Sequence, residues 1–366
     1  MRLVPVTSLQ SGMKLGKKIY TEDGLVLLAA GVELTDKLIS RLCQLGIGYI
    51  YIEDALTEDV HVPELIHEET RLKALSVIKR EFNMVPKGFV SNRAYHLGAA
   101  FGQMMESILD DIGSRDDTMI MLQDMKSTDF SLFDHSLNVC LYTLVLGLAN
   151  GYNKKQLLEL GLGALLHDIG KMQIPSHILQ KPGKLTDEEF KHVQAHTKIG
   201  FEILRSEPGI PLVSAVCALQ HHERLNGSGY PNGFKKDEIH EYAKWVALAD
   251  SYDAMTANRV YRPGLLPHKA VESLYAGSGT LYEQSMLERF RDCVAIYPLG
   301  LTVTLSTGET GVVVRIHHQI PQRPVIRVFK DRNGQEVPPY EIDLSTALSI
   351  IITDIPGIHN EMLQRG

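Results

Sequence analysis

Histidine is concentrated in one part of this chain of 366 residues, and this clustering constrains the fold more than any other sequence feature. Seven of the 15 histidines lie between His135 and His222, where even spacing would place about 3.6. Most of them, with Asp168 and Asp250, fall in separate segments of helical patterning. A fold that brings these segments together would place imidazoles beside carboxylates, the donor set that first-row divalent metals accept.

The overall composition is that of a globular protein, with 44% hydrophobic and 22% charged residues. A net charge of -7 argues against a nucleic-acid polymer as partner, because such binding needs a broad basic surface. The longest apolar run, 139–149, is shorter than the roughly 20 residues that span a bilayer. No signal-peptide hydrophobic region follows Met1. We therefore expect a cytoplasmic protein with no membrane partner.

The sequence predicts a mainly α protein in four parts. Residues 1–60 are expected to form a small α/β regulatory module, and residues 61–115 connecting helices that are candidates for a homodimer contact. Residues 116–298 are predicted to be an all-helical catalytic domain. Residues 299–366 are expected to form a small β module, a barrel or sandwich, followed by a tail.

Local signals place individual elements within these parts. In the first part a hairpin turns at Asp23-Gly24, Thr35 caps a helix through Leu45, and 48–52 is a strand. Thr186 and Glu189 form a capping box that opens a helix to about Leu204. In the last part β runs are predicted at 302–305, 311–316, 325–329 and 349–353, with an Asn-Gly turn at 333–334.

The first motif that carries chemistry reads HDIGK, at 167–171. Adjacent helical residues diverge by about 100°, so His167 and Asp168 can face two neighbouring ions. A carboxylate such as Asp168 can also bridge two ions roughly 3.5 to 4 Å apart. Gly170 is expected to end the helix, which leaves Lys171 within reach of whatever the metals bind.

Two further motifs follow. In HHERLNGSGYP, at 221–231, the residues Gly227, Gly229 and Pro231 predict a tight turn that presents Tyr230 to a ligand. The segment LADSYDAMTANRVYR, at 248–262, ends in arginines whose planar forks suit phosphate oxygens. The alternative for this segment is an amphipathic helix with a solvated, charged end.

Taken in order, these motifs resemble an HD-GYP domain from His135 to the neighbourhood of Pro298. The resemblance implies the helical fold of the HD phosphohydrolase superfamily and hydrolysis of cyclic di-GMP to pGpG, GMP or both. It implies that Asp168 and Lys171 are catalytic. By position, the implied metal ligands are His135, His167, Asp168, His196, His221, His222 and Asp250, and the implied substrate contacts are Lys171, Tyr230, Asp253, Arg259 and Arg262.

The sequence departs from the family pattern at two positions. Members with three metals carry a glutamate four residues before the first histidine, where this chain has Ser131, so we expect two divalent ions, with iron or manganese favoured. Asn226 stands where members commonly have aspartate, which keeps the turn chemistry. His192 lies one turn before His196 without a matching family position, and we expect it at the surface or behind the ligands rather than on a metal.

The hypothesis for the reaction is that a hydroxide bridging the two metals attacks a phosphorus of cyclic di-GMP in line. Lys171 would neutralise a non-bridging oxygen. Two alternatives stay open: a catalytically weak cyclic di-GMP receptor, and a phosphohydrolase of another cyclic dinucleotide. Turnover with added iron or manganese tests the first alternative, and a substrate panel tests the second.

Overall fold

The computed structural model describes residues 1–21, 26–85, 97–113, 132–181, 183–257 and 264–356. Within these residues the helices are α1 Asp36–Gln44, α2 Glu68–Met84, α3 Leu97–Gly113, α4 Leu132–Ala149, α5 Lys154–Leu166, α6 Ser176–Leu179, α7 Asp187–Leu204, α8 Leu212–Gln220, α9 Glu241–Thr256, α10 Pro267–Tyr275 and α11 Gln284–Cys293. The strands are β1 Arg2–Pro5, β2 Ile19–Tyr20, β3 Val26–Leu28, β4 Tyr49–Ile52, β5 Thr302–Leu305, β6 Thr310–Arg315, β7 Val325–Lys330, β8 Glu336–Asp343 and β9 Ile352–Asp354. The predicted mainly α class is confirmed.

The N-terminal part forms the predicted α/β elements. The Thr35 hydroxyl accepts a hydrogen bond from the backbone N–H of Leu38 at 3.4 Å, which caps α1. Strand β4 pairs antiparallel with β1, and β2 pairs antiparallel with β3 as the hairpin prediction requires. The Asp23-Gly24 turn itself lies outside the described residues.

A single large hydrophobic core joins helices α2 to α5 and α7 to α11. Helices α2 and α3, predicted as connecting helices, contribute buried residues such as Ile78, Phe82 and Phe101 to this core. Among the described residues, one helix, α4, is long and apolar enough to cross a membrane, but 72% of it is buried inside the protein. Such burial is typical of a central core helix.

Local capping fixes the start of two helices that position site residues. At the start of α7, the predicted capping box is confirmed, because Thr186 accepts from the Glu189 N–H while the Glu189 carboxylate accepts from the Thr186 N–H. Asn153 and Gln156 form the same reciprocal pair at the start of α5. Helix α7 ends at Leu204, as predicted.

The C-terminal part is one antiparallel sheet with the strand order β8-β7-β6-β5-β9. This arrangement confirms a small β module, and the sandwich form is wrong because all five strands belong to the same sheet. Strand β8 was not expected, since Pro338 and Pro339 argue against a strand. The sheet accommodates them because β8 is an edge strand whose register shifts beside them.

The N-terminal and C-terminal parts share a second hydrophobic core. Leu3 and Tyr51 from the first part pack with Leu301 and Val303 from the last. At the surface of this contact, the Arg327 guanidinium donates to both oxygens of Asp59 at 2.7 Å. The two ends of the chain therefore form one packed unit beside the helical core.

Candidate dinuclear metal centre

Five structural elements converge on one buried polar site. His135 lies in the first turn of α4 and His196 on α7. The pairs His167-Asp168 and His221-His222 follow α5 and α8 directly, and Asp250 lies on α9. The structure thus brings all seven predicted ligand positions together, with fully buried side chains at His167, Asp168, His196 and His221.

The carboxylate of Asp168 lies between two sets of side chains. Its Oδ2 atom is 3.3 Å from His167 Nε2 and 3.6 Å from His135 Nε2. Its Oδ1 atom is 3.3 Å from His196 Nε2 and 3.7 Å from His221 Nε2. Each oxygen therefore faces a different set of imidazoles, which is the geometry required of a bridging carboxylate.

The two sets define two corners of the site. The His135 corner consists of His135, His167 and Asp250, whose donor atoms lie within 4.8 Å of one another. The His196 corner consists of His196, His221 and His222, which together with Asp168 meet the same limit. Each corner offers nitrogen and oxygen donors, the set that suits iron, manganese and other first-row divalent ions.

Hydrogen bonds at Nδ1 orient the imidazoles. The Nδ1–H groups of His167 and His196 donate to the carbonyls of Ala164 and Val193, at 2.7 and 2.6 Å. His221 Nδ1 lies 3.0 Å from two carbonyl oxygens of α8. These bonds place the protons on Nδ1, so that the Nε2 lone pairs face Asp168.

The pKa shifts in the site follow from burial and from its carboxylates. Burial lowers the pKa of His222 to about 3, and that of His221 also falls well below its ordinary value. Burial raises the pKa of Asp168, but the neighbouring Lys171 and His167 outweigh it and hold the carboxyl ionised. For His135, burial lowers the pKa, whereas hydrogen bonds to its carboxylate neighbours raise it to about 9. Neutral imidazole and ionised carboxylate are the ligating forms, so a metal bound at His135 would displace the proton that its carboxylate neighbours favour.

The residues present fit two divalent cations. His167 Nε2 and Asp168 Oδ1 are buried atoms without a hydrogen-bond partner among the described residues. Buried polar atoms in proteins nearly always have a hydrogen-bond partner. These two atoms therefore indicate a bound ligand that does not belong to the protein chain. Five imidazoles and two carboxylates around one space favour cations as that ligand.

The HDIGK segment forms a 3₁₀ turn, Ile169–Gln173, packed against α7. A Cβ on Gly170 would meet the His196 carbonyl oxygen at 2.0 Å, so glycine is required for close approach rather than for ending a helix. The turn places Lys171 Nζ 2.5 Å from Asp168 Oδ2. Lys171 therefore lies at the edge of the site, one-fifth exposed.

The loop after His222 is held against the site by a residue that the sequence analysis did not single out. Glu223 is buried, and its two carboxylate oxygens accept from the N–H groups of Asn232 and Phe234, at 2.8 and 3.0 Å. A Cβ on Gly229 would meet the His222 carbonyl oxygen at 2.4 Å. In the sequence, the signal for Glu223 was its position directly after two predicted ligand histidines.

This loop places Tyr230 over the His196 corner, as the turn prediction requires. Its ring lies 4.6 Å from the ring of His222, and the two planes are inclined by 30°. Phe190 of α7 contacts Tyr230 edge to face at 6.0 Å and is 45% exposed. Asn226 accepts from the N–H and hydroxyl of Ser228, so the predicted turn chemistry is confirmed.

Asp253 does not lie where a substrate contact was predicted. It is 3% exposed and stands behind His135, with Oδ2 2.7 Å from His135 Nδ1. Its Oδ1 atom accepts from Asn138 Nδ2 at 3.1 Å. Both oxygens are therefore engaged inside the protein. Asp253 lies about one turn of α9 after Asp250, on the side of this helix that faces α4.

Three predicted positions lie outside the described residues: Ser131, Arg259 and Arg262. His192, expected at the surface, is exposed on α7.

Comparison with known families identifies two domains. Residues 121–286 match the HD domain family, and residues 302–358 match the KOW domain associated with HD domain. A cyclic di-GMP phosphodiesterase of Pseudomonas aeruginosa is 34% identical over 230 residues, which cover 63% of this chain and 55% of that protein. A cyclic di-GMP phosphodiesterase of Thermotoga maritima is 47% identical over 133 residues, 36% of each chain.

A 3'3'-cGAMP-specific phosphodiesterase of Vibrio cholerae is 40% identical over 124 residues, 34% of this chain and 24% of that protein. A solved HDG"Y"P protein of Bdellovibrio bacteriovorus aligns over 79% of this chain and 98% of its own, with 17% identity and a TM-score of 0.45. The chain thus spans between about a quarter and just over half of the length of these curated relatives. On its motifs and sequence matches, this chain resembles the HD-GYP family, and it carries an HD domain followed by a KOW domain.

Proposed function

We propose that this protein is a metal-dependent phosphodiesterase that hydrolyses cyclic di-GMP to pGpG, GMP or both. The observation that carries the proposal is the placement of Asp168, whose two oxygens face two separate groups of imidazoles. The relatives named as cyclic di-GMP phosphodiesterases support the substrate class.

The seven ligand positions are proposed to hold two divalent ions, one in each corner, with iron or manganese favoured. Such ions supply a nucleophile at neutral pH and polarise a phosphoryl oxygen. Lys171, beside Asp168, is positioned to neutralise a non-bridging phosphate oxygen. Arg259 and Arg262 are proposed to hold phosphate through their planar forks.

The aromatic pair beside the site suits a purine substrate. Tyr230 covers His222, and the exposed ring of Phe190 continues the same apolar surface outwards. Burial and the nearby Asp168 and Asp250 carboxylates raise the pKa of Tyr230, so its phenol stays protonated and can donate to a phosphate oxygen. A flat base has an aromatic face on which to stack.

Three finer features belong to the same proposal: cytoplasmic localisation, two rather than three metals because of Ser131, and a homodimer through residues 61–115. Leu72 and Met84 of α2 are 39% and 66% exposed, which supports a contact there. Light scattering in solution measures the dimer. Metal analysis of the fully loaded protein measures the stoichiometry, and three metals per chain would contradict it.

The test of the activity is anaerobic purification, reconstitution with iron or manganese, and chromatography of the products formed from cyclic di-GMP. We expect pGpG, GMP or both from the wild type and no product from His167→Ala. The matched control is His192→Ala, on the exposed face of α7 one turn before His196, which should keep full activity and both metals. Binding without turnover in the fully loaded wild type would instead indicate a receptor.

A second substrate is favoured by one finding, the 40% identity to a 3'3'-cGAMP-specific phosphodiesterase. Cyclic di-GMP and 3'3'-cGAMP should be compared side by side under the same metal loading. Higher kcat/KM for 3'3'-cGAMP would replace the proposed substrate while leaving the reaction class unchanged.

A further inference from the structure

A chain of polar contacts connects the His135 corner to a helix outside the matched HD domain. Asp253 accepts from His135 Nδ1 at 2.7 Å and from Asn138 Nδ2 at 3.1 Å. Arg71 Nη1 in turn donates to Asn138 Oδ1 at 3.4 Å. Arg71 lies on α2 and is only 8% exposed, so its charge is held inside the protein next to this network.

The direction of each hydrogen bond follows from the guanidinium. Arginine has only donors, so the oxygen of the Asn138 amide must face Arg71 and its nitrogen must face Asp253. The second oxygen of Asp253 is then available to accept from His135 Nδ1. The Nε2 atom of His135 consequently points to Asp168 and Asp250, 3.6 and 3.1 Å away.

We propose that Arg71 and Asn138 are positioning residues that fix the tautomer and ring orientation of His135 through Asp253. The proposal rests on the metal-ligand role proposed above for His135. Outer partners of ligating histidines commonly change metal affinity by about 10- to 100-fold when they are mutated. The relay therefore makes one metal position dependent on where α2 lies.

The N-terminal part contacts the same helix. Lys18 Nζ lies 2.9 and 2.8 Å from the two oxygens of Glu68, and the Tyr20 hydroxyl donates to Glu68 at 2.8 Å. Glu68 begins α2, three residues before Arg71. A displacement of the N-terminal part would thus act on the helix that carries the relay.

The experiment measures Mn²⁺ affinity by calorimetry and the visible absorption of the Co²⁺-loaded full-length protein. Arg71→Met keeps the apolar stem and removes the guanidinium. We expect the affinity of one of the two metal positions to fall by about 10-fold or more, with a changed Co²⁺ spectrum. Arg71→Lys, which still offers a donor to Asn138, should restore part of the affinity.

A double-mutant cycle separates a relay from two independent effects. Asp253→Asn alone should weaken the same metal position by about 10- to 100-fold, and adding Arg71→Met should change it little further. The matched control is Arg80→Met, since Arg80 lies on the same helix with a side chain that is 63% exposed. This control should keep wild-type affinity and spectrum.

Wild-type affinity and an unchanged Co²⁺ spectrum in Arg71→Met would overturn the proposal, and so would losses that multiply in the double variant. If circular dichroism shows that Arg71→Met is unfolded, Arg71→Lys and Asn138→Leu decide by the same two readouts. The metal centre has a separate check. A His135→Ala variant that keeps both metals would refute the ligand role of His135, and Arg71 and Asn138 could then not act on a metal through it.

Discussion

The two corners of the site hold their imidazoles in different ways. In the His196 corner, His196 and His221 donate to backbone carbonyls three or four residues earlier in the chain, at 2.6 and 3.0 Å. In the His135 corner, His135 donates to Asp253, which is 118 positions away in the sequence. His167 of the same corner donates locally to the Ala164 carbonyl. The two corners therefore differ at His135, whose orientation depends on the packing of α9 against α4.

This difference means that some imidazoles of the site keep their orientation whenever their helix forms, whereas the orientation of His135 depends on distant parts of the structure. A carbonyl of the same helical turn stays in place whenever the helix forms, because its position follows from helix geometry. A side chain on another helix stays in place only when both helices keep their relative position. Changes outside the HD domain should therefore reach the His135 corner before the His196 corner.

Removing the charge shared by both corners should have the largest effect. In Asp168→Asn the carboxylate that faces both sets of imidazoles is lost, so affinity should fall at both metal positions. We expect turnover to fall by at least about a hundredfold, equivalent to ~2.7 kcal/mol in the barrier. Metal analysis and product chromatography measure both quantities. Retention of more than about a tenth of the wild-type rate with both metals bound would show that Asp168 does not bridge.

Single ligand changes should separate the corners. His196→Ala and His135→Ala should each reduce the metal content from two ions to one, because among the described residues each corner has three of its own beside Asp168. The Co²⁺ spectra of the two variants should differ, since different positions stay filled. Identical spectra would mean that the two corners form one mixed site.

Glu223 tests the loop over the His196 corner without touching the ligands. In Glu223→Gln, one of the two accepting oxygens becomes a donor and faces a backbone N–H. Hydrogen bonds to charged groups are worth roughly 1.5 to 3 kcal/mol, so KM for the substrate should rise by about 10-fold or more. Metal content should not change. Glu202→Gln, on an exposed part of α7, is the control; an equal KM in both variants would exclude a role for the loop anchor.

The smallest effect is expected at the contact between the two ends of the chain. Arg327→Met removes the paired bonds to Asp59, an exposed pair worth up to about 1 kcal/mol of unfolding free energy. The hydrogen bond from Arg327 lowers the pKa of Asp59 to about 2, so this contribution is present at neutral pH and is lost as the pH falls towards 2. Thermal unfolding at pH 7 and pH 2 measures it. Metal affinity should stay unchanged in both corners. This result would show that the contact of α2 with the His135 corner, and not the Arg327–Asp59 contact, influences metal binding.

Much of the fold was predictable because its signals are local. The capping box at Thr186 needs only four consecutive residues, and it predicted the start of α7. The Asn333-Gly334 turn lies between β7 and β8, with Gly334 at φ +77°. Strand β8 was missed because the local preference of two prolines points away from a strand, whereas a position at the sheet edge tolerates them.

The sequence by itself determined the donor set: the residue types of HDIGK, HHER and Asp250 suit divalent metals wherever they meet. The tertiary structure decided how those donors divide into two corners, that Asp253 contacts His135 inside the protein, and that Gly170 lies against α7. It also decided that the two ends of the chain share one core. The physical reason is that residue type and helix ends depend on near neighbours, while the direction of a side chain across helices depends on how those helices pack.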